Sequence, residues 1–191
     1  GPAFEGGEIS AGQRATAGAI ERVRIDRETL EPKFRVIGSE LWSTEVGFAD
    51  STKELNVTGI CGSGIIEVIA EMFLAGVISE DGIVDGALAE RTSRVRSHGR
   101  TWSYVLYFAE DESQRDIVIT QNDVRQIQLA KAALYAGIKL LMDKMGVSEV
   151  DRIRLAGAFG SHISVKHAMV LGLIPDCSLD QVSSAGNAAG A

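Results

Sequence analysis

Residues Ile153-Arg154-Leu155-Ala156 form a short apolar run that leads straight into Gly157-Ala158-Phe159-Gly160. Ser164 then stands where it can cap a helix over 165–171, which Gly172 closes and Pro175 keeps from continuing. Glycines at the end of a strand let a ligand approach the backbone, and the helix that follows offers free N–H groups to an anion. The spacing is neither that of a dinucleotide fingerprint nor that of a Walker A loop. A tight turn needing two small residues explains it as well. Gly62-Ser63-Gly64 opens a second helix, and it too can either hold a phosphate or let the helix pack against a sheet. Cys61 before it reads as a small buried hydrophobe.

On the longest helical segment, Gln121, Arg125 and Gln128 share one side. Lys131 falls on the line Val124–Lys131–Ile138–Met145, where an apolar residue is expected. A lysine there either extends its ammonium to water or meets an anion. Of the three histidines, His98, His162 and His167, none has metal-ligand spacing to carboxylates or cysteines. His162 lies just past the glycine turn, within reach of a ligand or of the surface. Glu5, among glycines, is either an organising acid or an exposed loop carboxylate. No nucleophile elbow, zinc helix or serine triad is present in context, and catalytic residues stay unassigned.

Several elements must position these residues. Val23–Ile25 and Phe34–Ile37 predict strands about a polar turn, while 38–55 carries no clear periodicity. Ile65–Ala75 predicts a helix that is apolar all round except for Glu67 and Glu71, one turn apart, and so a buried one. Trp102–Phe108 and Ile117–Ile119 predict a paired ribbon around an acidic turn. Gln121–Met145 predicts a long helix with a capping box from Thr120 and Asp123. Its stripe Val124, Ile127, Leu134, Ile138, Leu141 and Met145 is expected to face the core. A last strand is expected over Gln181–Ser184. The alternation of strands and helices predicts an α/β fold. The expected arrangement is a mixed sheet with helices, its core roughly 56–76 and 117–191, and a smaller irregular α+β subdomain from roughly 8–55 and 77–116.

The 191 residues suffice for one sizeable core, and 45% hydrophobic content is that of a globular protein. A net charge of −7 argues against nucleic acid and anionic membranes as partners. The two isolated cysteines, Cys61 and Cys177, argue against disulfides or zinc and for reduced thiols in a cytoplasmic protein. No apolar run is long enough for a spanning helix. The opening Gly1-Pro2-Ala3-Phe4-Glu5-Gly6-Gly7 and the closing Ala185–Ala191 read as cuts inside a longer protein, or, at the start, as a tag remnant.

Five landmarks occur in order: Gly1-Pro2-Ala3-Phe4-Glu5-Gly6; Ile60-Cys61-Gly62-Ser63-Gly64; Gln121-Asn122-Asp123-Val124-Arg125 with Gln128-Leu129-Ala130-Lys131; Gly157-Ala158-Phe159-Gly160; and Gly186-Asn187. Together they resemble the C-terminal actin-like ATPase domain of the reductive activators of corrinoid proteins. The resemblance implies a ribonuclease H-like lobe of the sugar kinase, chaperone and actin superfamily. It implies ATP or ADP with Mg²⁺ as cofactor, held between two lobes, and a 2Fe–2S cluster in an N-terminal ferredoxin-like domain. The implied activity is ATP-driven return of Co(II) corrinoid to Co(I) for methyl transfer. A corrinoid protein or methyltransferase system is then the partner, and the protein a homodimer. Gly157, Ala158, Phe159 and Gly160 match the adenosine loop; Gln128 and Lys131, with Gly62, Ser63 and Gly64, would approach the nucleotide.

This chain departs from the pattern in lacking both Asp-Ile-Gly-type hairpins that organise Mg²⁺, and two lone cysteines cannot hold a cluster. No metal ligand is assigned, and the chain alone is expected to hydrolyse little or no ATP. Two other readings stay open: a dimerisation and docking platform that holds no nucleotide, and a lobe of a small-molecule kinase of the same superfamily.

Overall fold

The structure is a computed structural model that describes residues 3, 6–109, 114–157, 160 and 162–186. Among the described residues the strands form three small sheets, β2-β1-β3, β4-β5-β6 and β7-β8. In the first, β1 (Ala19–Ile25) pairs antiparallel with β2 (Pro32–Val36) and, through its first residues, parallel with β3 (Gly59–Ile60). Val23 and Ile25 point inward and Arg22 and Arg24 outward, the period-2 alternation of a half-buried strand. The second sheet is an antiparallel meander of β4 (Val95–His98), β5 (Thr101–Tyr107) and β6 (Ile117–Thr120). The third is a parallel pair, β7 (Ile153–Ala156) with β8 (Val182–Gly186). A short helix α1 (Phe48–Thr52) lies in the stretch that shows no periodicity.

Helix α2 (Gly62–Leu74) lies along β1 and is buried over most of its length. It begins at Gly62, so Gly62-Ser63-Gly64 forms its first turn, and Gly64 lies close against β1. A Cβ there would meet the Ile20 carbonyl oxygen at 2.4 Å. Helix α3 (Gln121–Met145) starts from a complete Thr120–Asp123 capping box, as the sequence predicts. Helix α4 (Val165–Val170) follows the glycine turn and is capped by Ser164.

Two apolar clusters result. The larger combines Val23, Phe34, Ile65, Tyr104, Ile119 and Ile127 with their neighbours. It draws on both residue ranges that the sequence separates into core and inserted subdomain, because α2 and α3 pack on the sheets of both. The smaller joins Ile66 of α2 to Ala168, Leu173 and Ile174, with Ile153, Leu155 and Val182 of the parallel pair against it.

The apolar stripe of α3 is only half used. Val124 and Ile127 are buried, whereas Leu134, Leu141 and Met145 are 42%, 62% and 74% exposed. Periodicity marks the apolar face correctly, but nothing among the described residues covers its second half. The energetic consequence is a contrast. Ile127→Ala is expected to cost about 3 kcal/mol through the lost burial and the cavity left behind. Leu141→Ala, on the same stripe, is expected to change stability by less than about 0.5 kcal/mol. Chemical denaturation of the two variants measures the difference.

Candidate functional site

Gly157 has φ of +94°, in the left-handed region that only glycine occupies without strain, and its N–H donates to the Gly186 carbonyl at 2.8 Å. That bond continues the β7–β8 pairing into the turn. Ala158 and Phe159 lie outside the described residues. Beyond Gly160, Ser164 accepts the His167 N–H and starts α4. Gly157 at the end of β7 and the Ser164-capped α4 are thus described, and Gly160 between them is helical.

Gln128 and Lys131 lie elsewhere. They line a pocket of about 140 Å³ whose apolar floor is made by Ile69 and Phe73 of α2, Val124 and Ile127 of α3, and Val170 and Leu171 at the end of α4. One wall is the 79–82 turn. The glutamines of α3 clamp this turn. Gln121 accepts the Val84 N–H and donates to the Gly82 carbonyl, and Gln128 Nε2 donates to the Asp81 carbonyl at 2.8 Å. The clamp orients the Gln128 amide and leaves its Oε1 buried with no hydrogen-bond partner. The exposed Lys131 chain lies along Gly172, where a Cβ would stand 3.2 Å from its Nζ. The turn at Gly157 and the pocket at Lys131 thus sit at opposite ends of α4: one precedes its cap, the other follows its last turn.

Gly62, Ser63 and Gly64 are buried at the start of α2. Ser63 Oγ lies 3.3 Å from Cys61 Sγ, and Gly64 rests on β1. Cys61 is a buried thiol and Cys177 a half-buried one. His98 and His162 are exposed, and Glu5 lies outside the described residues. Among the described residues no group of three His, Cys, Asp or Glu side chains could hold a metal ion. No helix of the structure is long and apolar enough to cross a membrane.

Sequence reasoning missed a set of buried polar groups on α2. β3 pairs with β1 only at Ala19 and Ile20. Farther along that edge, Glu67 accepts the Val23 N–H at 2.9 Å and Glu71 accepts the Ile25 N–H at 3.0 Å. One helical turn rises about 5.4 Å and two strand residues about 6.6 Å, so carboxylates four apart on a helix can serve N–H groups two apart on a strand. Glu67, wholly buried, also takes the guanidinium groups of Arg22 and Arg24. Burial opposes charge on Glu71, but the hydrogen bond from His167, the Ile25 N–H, and the positive charges of His167 and Arg24 outweigh it and hold its carboxyl below the ordinary range. The signal was visible as two lone acids on an otherwise apolar helix. Asp123 does similar work at the start of α3, where it accepts the Ser10 N–H, the Ser10 hydroxyl and the Thr120 N–H. It thereby ties the glycine-rich 6–12 segment to the helix.

A family described as the C-terminal domain of RACo, the ASKHA domain, matches residues 1–191. The chain belongs to this family. Its curated relative from Eubacterium limosum, the corrinoid activation enzyme RamQ, is 35% identical over 198 residues, which is 100% of this chain and 30% of that protein. A solved structure described as a reductive activator for corrinoid, iron–sulfur protein superposes with a TM-score of 0.81 at 35% identity. It covers 98% of this chain and 28% of that one. The fold is thus that of an actin-like ASKHA domain, mixed α/β, as the sequence implies. The chain spans under a third of the length of the proteins it matches.

Proposed function

We propose that this chain is the nucleotide-holding lobe of an ATP-dependent reductive activator that returns Co(II) corrinoid proteins to Co(I). Its membership of the ASKHA family over all 191 residues carries the reading. The names of its relatives, a corrinoid activation enzyme and a reductive activator, support the substrate. In this reading ATP supplies the driving force for an uphill one-electron transfer, and the electron comes from a 2Fe–2S cluster carried outside these residues.

The residues present have limited and definite roles. Gly157, at the end of β7, gives the adenosine close access to the backbone, since it presents no side chain there. Lys131 supplies a cation, and the Gln128 carbonyl supplies an acceptor that lacks a donor. A phosphate and a hydrogen-bond donor of the ligand have the chemistry to meet them. The carboxylates that would organise Mg²⁺ are not among the residues assigned here. Binding without turnover is therefore expected.

Calorimetric titration of Mg-ADP and Mg-ATP into the chain tests this. Heat of binding with no phosphate release is expected, and Lys131→Ala should raise Kd about three- to tenfold, the loss of one screened cation contact. No heat at millimolar nucleotide would overturn the reading.

The uncovered half of α3 supports a second reading, a docking or dimerisation platform for a corrinoid protein or a second copy. Sedimentation as a dimer together with no nucleotide binding would favour it.

A further inference from the structure

His167 is 2% exposed, yet both of its ring nitrogens are engaged. Nε2 lies 2.7 Å from Glu71 Oε1, and Nδ1 lies 2.6 Å from Ser164 Oγ. A carboxylate only accepts, so Nε2 carries the hydrogen and donates to Glu71. In the neutral ring Nδ1 then accepts the Ser164 hydroxyl. In the charged ring Nδ1 donates to the same oxygen. Both ring nitrogens are bonded in either form, so the contact is a fixed joint. The charged groups facing it are Glu71 and, beyond that carboxylate, Arg24 with its Nε 4.0 Å from Glu71 Oε1.

The position of this joint gives it a role. Glu71 is anchored on the other side by the Ile25 N–H, so one chain of hydrogen bonds runs from β1 through α2 to the cap of α4. Among the described residues, Ile66 is the α2 side chain that this β7–β8–α4 cluster buries. α4 comes after β7 in the chain, and Ser164 is both its cap and the last member of the hydrogen-bonded chain. A group that holds Ser164 therefore sets where α4, and the β7–β8 pair packed with it, stand relative to α2.

We propose that His167 is a positioning residue, a pin that fixes the β7–β8–α4 layer, with Gly157 at the end of β7, against α2. The part of the proposal that concerns ligand binding rests on the nucleotide reading above.

Amide hydrogen exchange tests the pin without any ligand. His167→Leu keeps the volume and removes both bonds, while His167→Gln keeps a donor for Glu71. The Leu variant is expected to lose at least about tenfold protection in 153–156 and 165–170, with β5 and β6 unchanged, and the Gln variant to recover most of it. Unchanged protection at α4, or loss at α4 matched by equal loss at β5, would overturn the pin. Equal loss in the Gln variant would overturn it as well. Should the Leu variant fail to fold, Ser164→Ala removes only the far end of the chain and is expected to give the same local pattern at smaller amplitude. Mg-ADP titration of the same proteins separates the two claims. Wild-type binding with no exchange effect sinks the pin and spares the nucleotide reading. The exchange effect without wild-type binding does the reverse.

Discussion

Glu67→Ala is expected to lower stability by about 3 kcal/mol, seen as a fall of about 6–12 °C in Tm for a chain of this length. The glutamate is 0% exposed, and three donors converge on it: the Val23 N–H, Arg22 and Arg24. The two arginines can turn to water, because their side chains are 33% and 39% exposed. The Val23 N–H cannot, since it sits on the strand edge that α2 covers. The cost therefore comes from an unsatisfied backbone donor and a cavity beneath the helix, with the charge a smaller part. Glu67→Gln, which keeps an acceptor for Val23, should cost only about 1–2 kcal/mol. If the two variants proved equally harmful, the charge and not the strand-edge bond would be the main stabiliser.

Gly157→Val should raise the Kd for Mg-ADP at least about tenfold while leaving most of the fold intact. Among the described residues no atom lies within 4 Å of the place a Cβ would take, so the valine meets no clash there. The penalty is conformational: φ of +94° is strained for a β-branched residue by about 1–3 kcal/mol. The turn can relieve that strain by rotating, which breaks the Gly157 N–H bond to Gly186 and moves the backbone that follows. Gly157→Ala, with the same open space and a smaller side chain, should fall between wild type and valine. Circular dichroism and titration on the same samples separate a displaced turn from an unfolded chain.

Much of this was legible from residue types. The capping box at Thr120 and Asp123 and the 3.6-residue period located α3, because both signals are local. β1, β2, β5 and β6 show through runs of apolar and β-branched residues. β4 does not, since only Val95 of its four residues is buried and a polar strand carries no alternation. α1 is a single short turn of helix whose buried residues, Phe48 and Thr52, set no period. The number of sheets was also hidden, because hydrophobic pattern says which face of a strand is buried and not which strand lies beside it.

The site divides in the same way. The glycine turn and its capped helix read directly, as a change from strand to turn to helix. The partners of Glu67 and Glu71 did not, although the two acids stood out on an apolar helix. Their partners are backbone N–H groups of a strand some 45 residues earlier in sequence, and only the packing of α2 on β1 brings them together. His167 gave no signal at all. One histidine on a short helix looks alike whether it faces water or, as here, joins two layers. Gln128 and Lys131 were found as a face of α3, but the sequence could not show that the end of α4, and not its beginning, would meet them.

The most direct test of the central claim is a map of nitrogen-15 amide shifts in this chain on addition of Mg-ADP. Saturable changes are expected, centred on Gly157 and Gly160 and extending along α4 to Leu171 and Gly172 beside Lys131, with β4 and β5 unmoved. Absence of change at saturating nucleotide, or changes confined to surfaces away from α4, would contradict it.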